Sequence, residues 1–499
     1  MAKMQKSRIH NVYSLQFDYY TALFLLVVLL VVGIGIQLYP TFNSFFMADD
    51  FSWLNFVKGN DEIWRVVSTP SPGGWTTPIP NLIFFLMWKM FGTLPRYYYF
   101  TIAFMHLIVG LLVFELVYRL SQEKTFLAFG AALIFSLHFI HFSDWGPLVW
   151  ISAFVQIVVA VFYLSSLVLF VHYIQGNSIW YLAGSLLCYI FALSSKETAM
   201  SLPLLIFVWY LIGFWPLRFN RTKKHLLNDF LIIALYFLIL GAYFIYEFSF
   251  QLSGKYLSQG LYGIGGHLIT NWKYFSNLVI PNPDSPPVQS FLLRTFPPQI
   301  LQILRYIACL IRICLVFAGA MLFWKGSTFM RLWITFSVIT YLPFIGFVEG
   351  FAGPNRYFYL PAVGFSVLVA EGLLWIWRKI QQYTTKKTAL ALFTMGLLVL
   401  WGYNMVPPRS WQRQMIENST VRRSVLELIK EQQVEKDDVS TKVYLEGFPA
   451  KFRDLEAAIH MLYGLDTEWV PISNGFMIQP AQNIVVVQYN NGQIMIFTP

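Results

Sequence analysis

The run Tyr19-Tyr20-Thr21-Ala22-Leu23-Phe24-Leu25-Leu26-Val27-Val28-Leu29-Leu30-Val31-Val32-Gly33-Ile34-Gly35-Ile36-Gln37-Leu38-Tyr39 carries no charged residue. At about 20 positions it is long enough for a helix to cross the hydrocarbon core of a bilayer, and too long for a signal peptide. No small-residue cleavage pattern follows it, so it is expected to persist as an anchor. Similar runs recur along about four fifths of the chain, near 97–120, 126–142, 147–173, 179–193, 198–217, 226–250, 300–324, 329–347, 357–377 and 388–406. Composition agrees: 57% of the 499 residues are apolar and 12% charged, against about a quarter charged in soluble domains. The expectation is a polytopic α-helical membrane protein with about eleven transmembrane helices.

The net charge of +10 is spread in short clusters between apolar runs. Lys3, Lys6 and Arg8 precede the first; Arg119 and Lys124, then Arg218, Arg221, Lys223 and Lys224, then Arg378, Lys379, Lys386 and Lys387 follow others. This is the bias of cytoplasmic loops, and it speaks against nucleic acid as a partner. It places the N-terminus in the cytoplasm and the C-terminus outside, with a bacterial plasma membrane the preferred setting. The apolar stretch 79–91, interrupted by Lys89, is too short to cross and reads as interfacial or re-entrant. Two long external segments follow, 40–96 and 251–299, whose aromatic content suits ordered lids. Cys188, Cys309 and Cys314 lie in apolar runs and imply neither a disulfide framework nor a metal site.

Beyond residue 406 the composition turns soluble. An amphipathic helix over 411–433, a strand over 442–445, a helix over 453–463 and a hairpin over 484–497, turning at Asn490-Asn491-Gly492, predict a small external α+β domain at 407–499 after a membrane domain at 1–406. The tail has no repeat of fixed period.

Four motifs could carry chemistry. Asp49-Asp50 lies just past the first span, where carboxylates are costly unless functional. One acid could take a proton from an attacking hydroxyl while its neighbour orients the acceptor or a cation; the plain alternative is a helix N-cap. Ser195-Lys196-Glu197-Thr198 sits at a tight turn, where Lys196 could neutralise a lipid phosphate with Glu197 fixing it, or the two could form an ordinary boundary ion pair. Arg356 opens a late span, as a phosphate fork or an interfacial anchor, and Arg305 and Arg312 share a helix face two turns apart. His138, His141 and Asp144 have a spacing that could gather metal ligands, but thiolates and further histidines are missing and hydrogen bonding explains them as well. No Walker loop, dinucleotide fingerprint or nucleophile elbow occurs in a suitable setting. A sugar donor outside the cytosol would therefore be lipid-borne, and a divalent cation beside the acids is the one candidate cofactor.

Asp49-Asp50, Ser195-Lys196-Glu197-Thr198 and Asn355-Arg356-Tyr357-Phe358-Tyr359-Leu360-Pro361-Ala362-Val363-Gly364, with Trp64-Arg65, Phe91-Gly92, Tyr98 and His106, together resemble the GT-C superfamily of polyprenyl-phosphate-dependent glycosyltransferases. The likeness runs from about Phe45 to Gly372 and is greatest to bacterial relatives of the TMTC-type and protein O-mannosyltransferases. It implies inverting transfer of a hexose, often mannose, from a polyprenyl phosphate to a protein, lipid or glycan acceptor. By that likeness Asp49 is the catalytic base, Asp50 assists, and Arg356 with Lys196 meets the donor phosphate. Glu197, His141 and Asp144 would support them. The tetratricopeptide repeats of TMTC relatives are replaced by the α+β tail. A rival reading is a transporter or flippase using Arg305, Arg312 and Lys196 along its path, although inverted halves are not evident. A third is a structural subunit whose tail recruits partners.

Overall fold

A computed structural model describes residues 18–72, 74–143, 145–176, 178–214, 223–251, 263, 265–280, 289, 293, 297–348, 354–431, 442–449, 452–470, 484–490 and 493–497. Asp144, the Pro281–Pro287 turn and the hairpin residues Asn491-Gly492 fall outside them.

Helix α1 (Tyr19–Leu38) begins where the Asp18 carboxylate accepts the Thr21 N–H at 2.9 Å. Ala22, Leu26, Leu30, Ile34 and Leu38 form its buried stripe, while Phe24, Val28, Val31 and Val32 point outward. A helix apolar on its exposed face as well as its buried one needs lipid around it. Six described helices are long and apolar enough to cross a membrane: Tyr19–Asn43, Pro95–Leu120, Ile151–Gly176, Asp229–Glu247, Gln299–Lys325 and Thr328–Ile345. The chain is an integral membrane protein.

After α1 come α2 (Asp49–Lys58), α3 (Ile63–Ser68), α4 (Pro78–Phe91), α5 (Pro95–Leu120), α6 (Thr125–Ser136), α7 (Val155–Gly176), α8 (Ile179–Leu193), α9 (Leu202–Trp209), α10 (Lys223–Gln251), α11 (His267–Thr270), α12 (Pro298–Lys325), α13 (Thr328–Ile345), α14 (Pro361–Tyr383) and α15 (Lys386–Glu431). The bundle centre pairs α5 with α6 and α7, α7 with α8, α6 with α14, and α13 with α14. Close approach depends on small residues. A Cβ on Gly364 of α14 would run into Ser337 Oγ and the Trp333 carbonyl of α13.

Several apolar runs fold into shorter pieces than their length suggests. The run at 126–142 ends its α-helix at Ser136, because His138 takes an extended conformation and its Nδ1 accepts the Ile140 N–H, starting a 3-10 turn at Phe139–His141. The run at 147–173 opens with a 3-10 turn, Ile151–Phe154. The run at 198–217 divides into a 3-10 turn at Glu197–Ser201, α9 with Pro203 in its first turn, and a π turn at Tyr210–Phe214. The stretch at 79–91 is the 14-residue helix α4.

Conversely, α15 runs unbroken for 46 residues through Pro407-Pro408, joining what the sequence reading separates into 388–406 and 411–433. Downstream, β1 (Lys442–Glu446), α16 (Asp454–Tyr463), β2 (Asp466–Val470), β3 (Ile484–Asn490) and β4 (Gln493–Phe497) form a four-stranded sheet in the order β2-β1-β3-β4. Strand β1 is parallel to β2 and β3, with Lys442 opposite Asp466 and Ile484, and β3 and β4 form the antiparallel hairpin. Helix α16 is the crossover that the parallel β1–β2 pair requires.

Candidate active site

The first-loop acids occupy the opening turn of α2, where the helix dipole favours negative charge. Entry to the helix is forced: Ala48 sits at φ 51°, ψ −126°, a region costing a residue with a Cβ about 1–3 kcal/mol. The two carboxylates then part company. Asp50 is fully buried; its Oδ2 accepts the Met47 N–H at 3.0 Å, and its Oδ1 accepts the Ser152 N–H at 2.7 Å and the Ser152 hydroxyl at 2.5 Å. Burial pushes its carboxyl up to about 7, against three donors that favour the ionised form. Asp49, beside it, is exposed.

Ser152 belongs to the 3-10 turn ahead of α7, and Trp150 is the residue that caps that turn. Over the Trp150 ring lies the Arg356 guanidinium, 4.8 Å from the centroid; it also stacks on Tyr357 at 4.6 Å and donates to the Tyr357 hydroxyl at 3.0 Å. Tyr357 stacks on Phe344 at 4.4 Å, and Asn355 Nδ2 donates to the Ser143 carbonyl at 3.1 Å. Asp50 and Arg356 thus grip opposite ends of the three residues Trp150-Ile151-Ser152.

The second motif lies against the start of α4. Lys196 Nζ lies 3.0 Å from Glu197 Oε1, both side chains largely buried, and Glu197 Oε2 has no hydrogen-bond partner among the described residues. The Ile79 N–H donates to the Ser194 carbonyl at 3.2 Å, holding the start of α4 against this turn. Nearby, the Thr76 N–H and hydroxyl donate to the buried Glu247 carboxylate on α10. Sequence reasoning passed over Thr76, Ser152 and Glu247. Only Glu247 had a signal, as an acid inside an apolar run.

His141 is fully buried among the rings of Tyr359 and Phe135, each at 4.8 Å, and His106 at 5.2 Å, and neither of its ring nitrogens has a hydrogen-bond partner among the described residues. His106 and the Tyr359 hydroxyl are 2.6 Å apart, and His138 Nε2 meets the Leu278 carbonyl at 3.0 Å. Among the described residues no three His, Cys, Asp or Glu side chains are grouped to hold a metal. Arg305 is exposed on α12, whereas Arg312, two turns on, donates to the Ser276 hydroxyl at 3.2 Å and lines a cavity of about 820 Å³ walled by apolar residues of α12, α13 and α14. Ser276 lies in the 3-10 turn Asn271–Leu278, which packs beside the Asn355–Phe358 turn that carries Arg356. Asp50, Arg356 and Arg312 are therefore linked through contacting turns.

No family model matches the chain, and no curated protein does. Among solved structures it is similar to ArnT from Cupriavidus metallidurans bound to undecaprenyl phosphate, with a TM-score of 0.47 and 12% identity, over 91% of this chain and 86% of that one. A similarity at that level assigns no function.

Proposed function

We propose that this protein is a membrane glycosyltransferase that moves a hexose, with mannose the first candidate, from a polyprenyl-phosphate donor to an acceptor hydroxyl on the extracytoplasmic face. The observation that carries the reading is the shared mooring of Asp50 and Arg356 on Trp150-Ile151-Ser152, which brings the acid pair and a stacked guanidinium to one place.

In this reading the exposed Asp49 accepts the proton of the acceptor hydroxyl as its oxygen attacks the anomeric carbon. The new C–O bond forms as the bond from that carbon to the phosphate oxygen breaks, and the electron pair leaves with the lipid phosphate. Attack opposite the leaving group inverts the centre. Arg356, flattened against two aromatic rings, offers its planar fork to the charge that grows on the phosphate. Lys196, fixed by Glu197, is assigned a further positive charge toward the donor phosphate. Asp50 fixes the direction of its neighbour. The prenyl chain is assigned to the apolar cavity beside Arg312, within reach of the bilayer. The N-terminus is assigned to the cytoplasm and residues 407–499 to the outer side as a domain of their own. A protein, lipid or glycan acceptor fits this scheme.

The test is incubation of purified protein with radiolabelled polyprenyl-phosphate hexoses and a membrane extract. Wild type should label an acceptor and Asp49→Asn should lose almost all transfer. Equal labelling by both removes Asp49 as base.

A further inference from the structure

We propose that Asp454 is a positioning residue for Asp49, which makes the C-terminal helix α16 a working part of the catalytic centre; this rests on the transferase reading above. Asp454 Oδ2 accepts the Ala48 backbone N–H at 2.7 Å, although 406 residues separate the two. Ala48 immediately precedes Asp49 and holds a positive φ, a conformation that a residue with a Cβ keeps only where its surroundings impose it.

Two carboxylates impose it here. Asp50 takes the N–H of Met47, and Asp454 takes the N–H of Ala48. Asp454 is itself fixed by Arg422 of α15, whose Nε lies 2.7 Å from the same oxygen, with both side chains buried. Charge-assisted bonds of this kind are the strong ones. At the far end of α2, Lys58 Nζ donates to the Met461 carbonyl. Helix α16 therefore clamps α2 at both ends, and the end it governs most tightly is the peptide that aims Asp49. Substitution of Asp454 should act on turnover, because donor contacts lie on Arg356 and around the Arg312 cavity and are left in place.

The experiment compares wild type, Asp454→Ala and Asp454→Asn by hydrogen exchange over residues 45–52 and by transfer kinetics. A fourth protein carries lactic acid in place of Ala48, which deletes the N–H and leaves the Asp454–Arg422 pair intact. Asp454→Ala should exchange faster over 45–52 and lose on the order of 10- to 100-fold in kcat at unchanged donor KM. Asp454→Asn, which keeps an acceptor oxygen, should recover most of both, and the Ala48 ester should reproduce the kcat loss. Unaltered exchange in Asp454→Ala overturns the proposal, as does a rise in donor KM alone. Should Asp454→Ala loosen the whole C-terminal sheet, the ester decides: full turnover without the Ala48 N–H also overturns it. If wild type and Asp49→Asn transfer nothing, the transferase reading has failed, and the exchange comparison still decides whether Asp454 orders the loop.

Discussion

Asp50 and Ser152, 102 residues apart, are joined twice: one carboxylate oxygen takes both the backbone N–H and the hydroxyl of Ser152. This double bond of contact fastens the first-loop helix α2 to the turn ahead of α7, so Ser152 should matter to both stability and turnover. Ser152→Ala removes the hydroxyl donor and keeps the N–H. It is expected to cost about 1.5–3 kcal/mol, the range for a hydrogen bond to a charged group, seen as a lower Tm in detergent, with reduced kcat.

The buried Asp50 also sets a pH dependence. Its carboxyl lies at about 7 when folded, well above the ordinary value of 3.8. Between those values the folded protein holds a proton that the unfolded chain has released, so stability should fall as pH rises from about 4 to about 7 and level off above. Thermal melts across that range should show the slope, and Asp50→Asn should flatten it. An unchanged slope in Asp50→Asn would assign the dependence to other groups.

Arg356 is held by stacking on two rings and by a hydrogen bond to the Tyr357 hydroxyl, so Lys is a poor replacement. Arg356→Lys is expected to lose about tenfold or more in kcat/KM for the lipid donor, equivalent to about 1.4 kcal/mol of transition-state binding. Steady-state kinetics with donor varied at fixed acceptor check it. Retention of full kcat/KM would mean that a point charge suffices there.

Lys196 and Glu197 form a largely buried ion pair, and removing one partner from such a pair strands the other charge at a cost of about 3–5 kcal/mol. Lys196→Ala should therefore lower Tm more than the double variant Lys196→Ala, Glu197→Gln, in which the stranded charge is also removed. A double variant less stable than the single would point to packing as the dominant loss.

The membrane character was plain from runs such as 19–39, because an uncharged helix apolar all round has one favourable solvent. Piece lengths were harder to read: His138 ends α6 with its own side chain, and Pro203 sits harmlessly in a first helical turn. Pro407-Pro408 was the opposite trap, since two prolines usually stop a helix and α15 passes straight through them. Strand β1, helix α16 and the β3–β4 hairpin followed from local pattern, whereas β2 is only five residues with two acids and pairs through a crossover that no local signal announces. In the candidate site, Asp49-Asp50 stood out for its place beside a span. Which of the two would be buried was not legible, because Ser152 decides it, and a serine in a loop carries no motif.

Helix α12 is wrapped by little of the protein: only Leu301 and Ala308 are buried along its described length. Its seating against the rest depends on whatever fills the space around it, and in a cell that is lipid. Extraction into a short-chain detergent would trade a thick hydrocarbon collar for a thin one at the wall of the Arg312 cavity. The choice of amphiphile is thus an experimental variable on a par with substrate, and preparations in native-thickness nanodiscs are the ones in which that cavity should keep its shape.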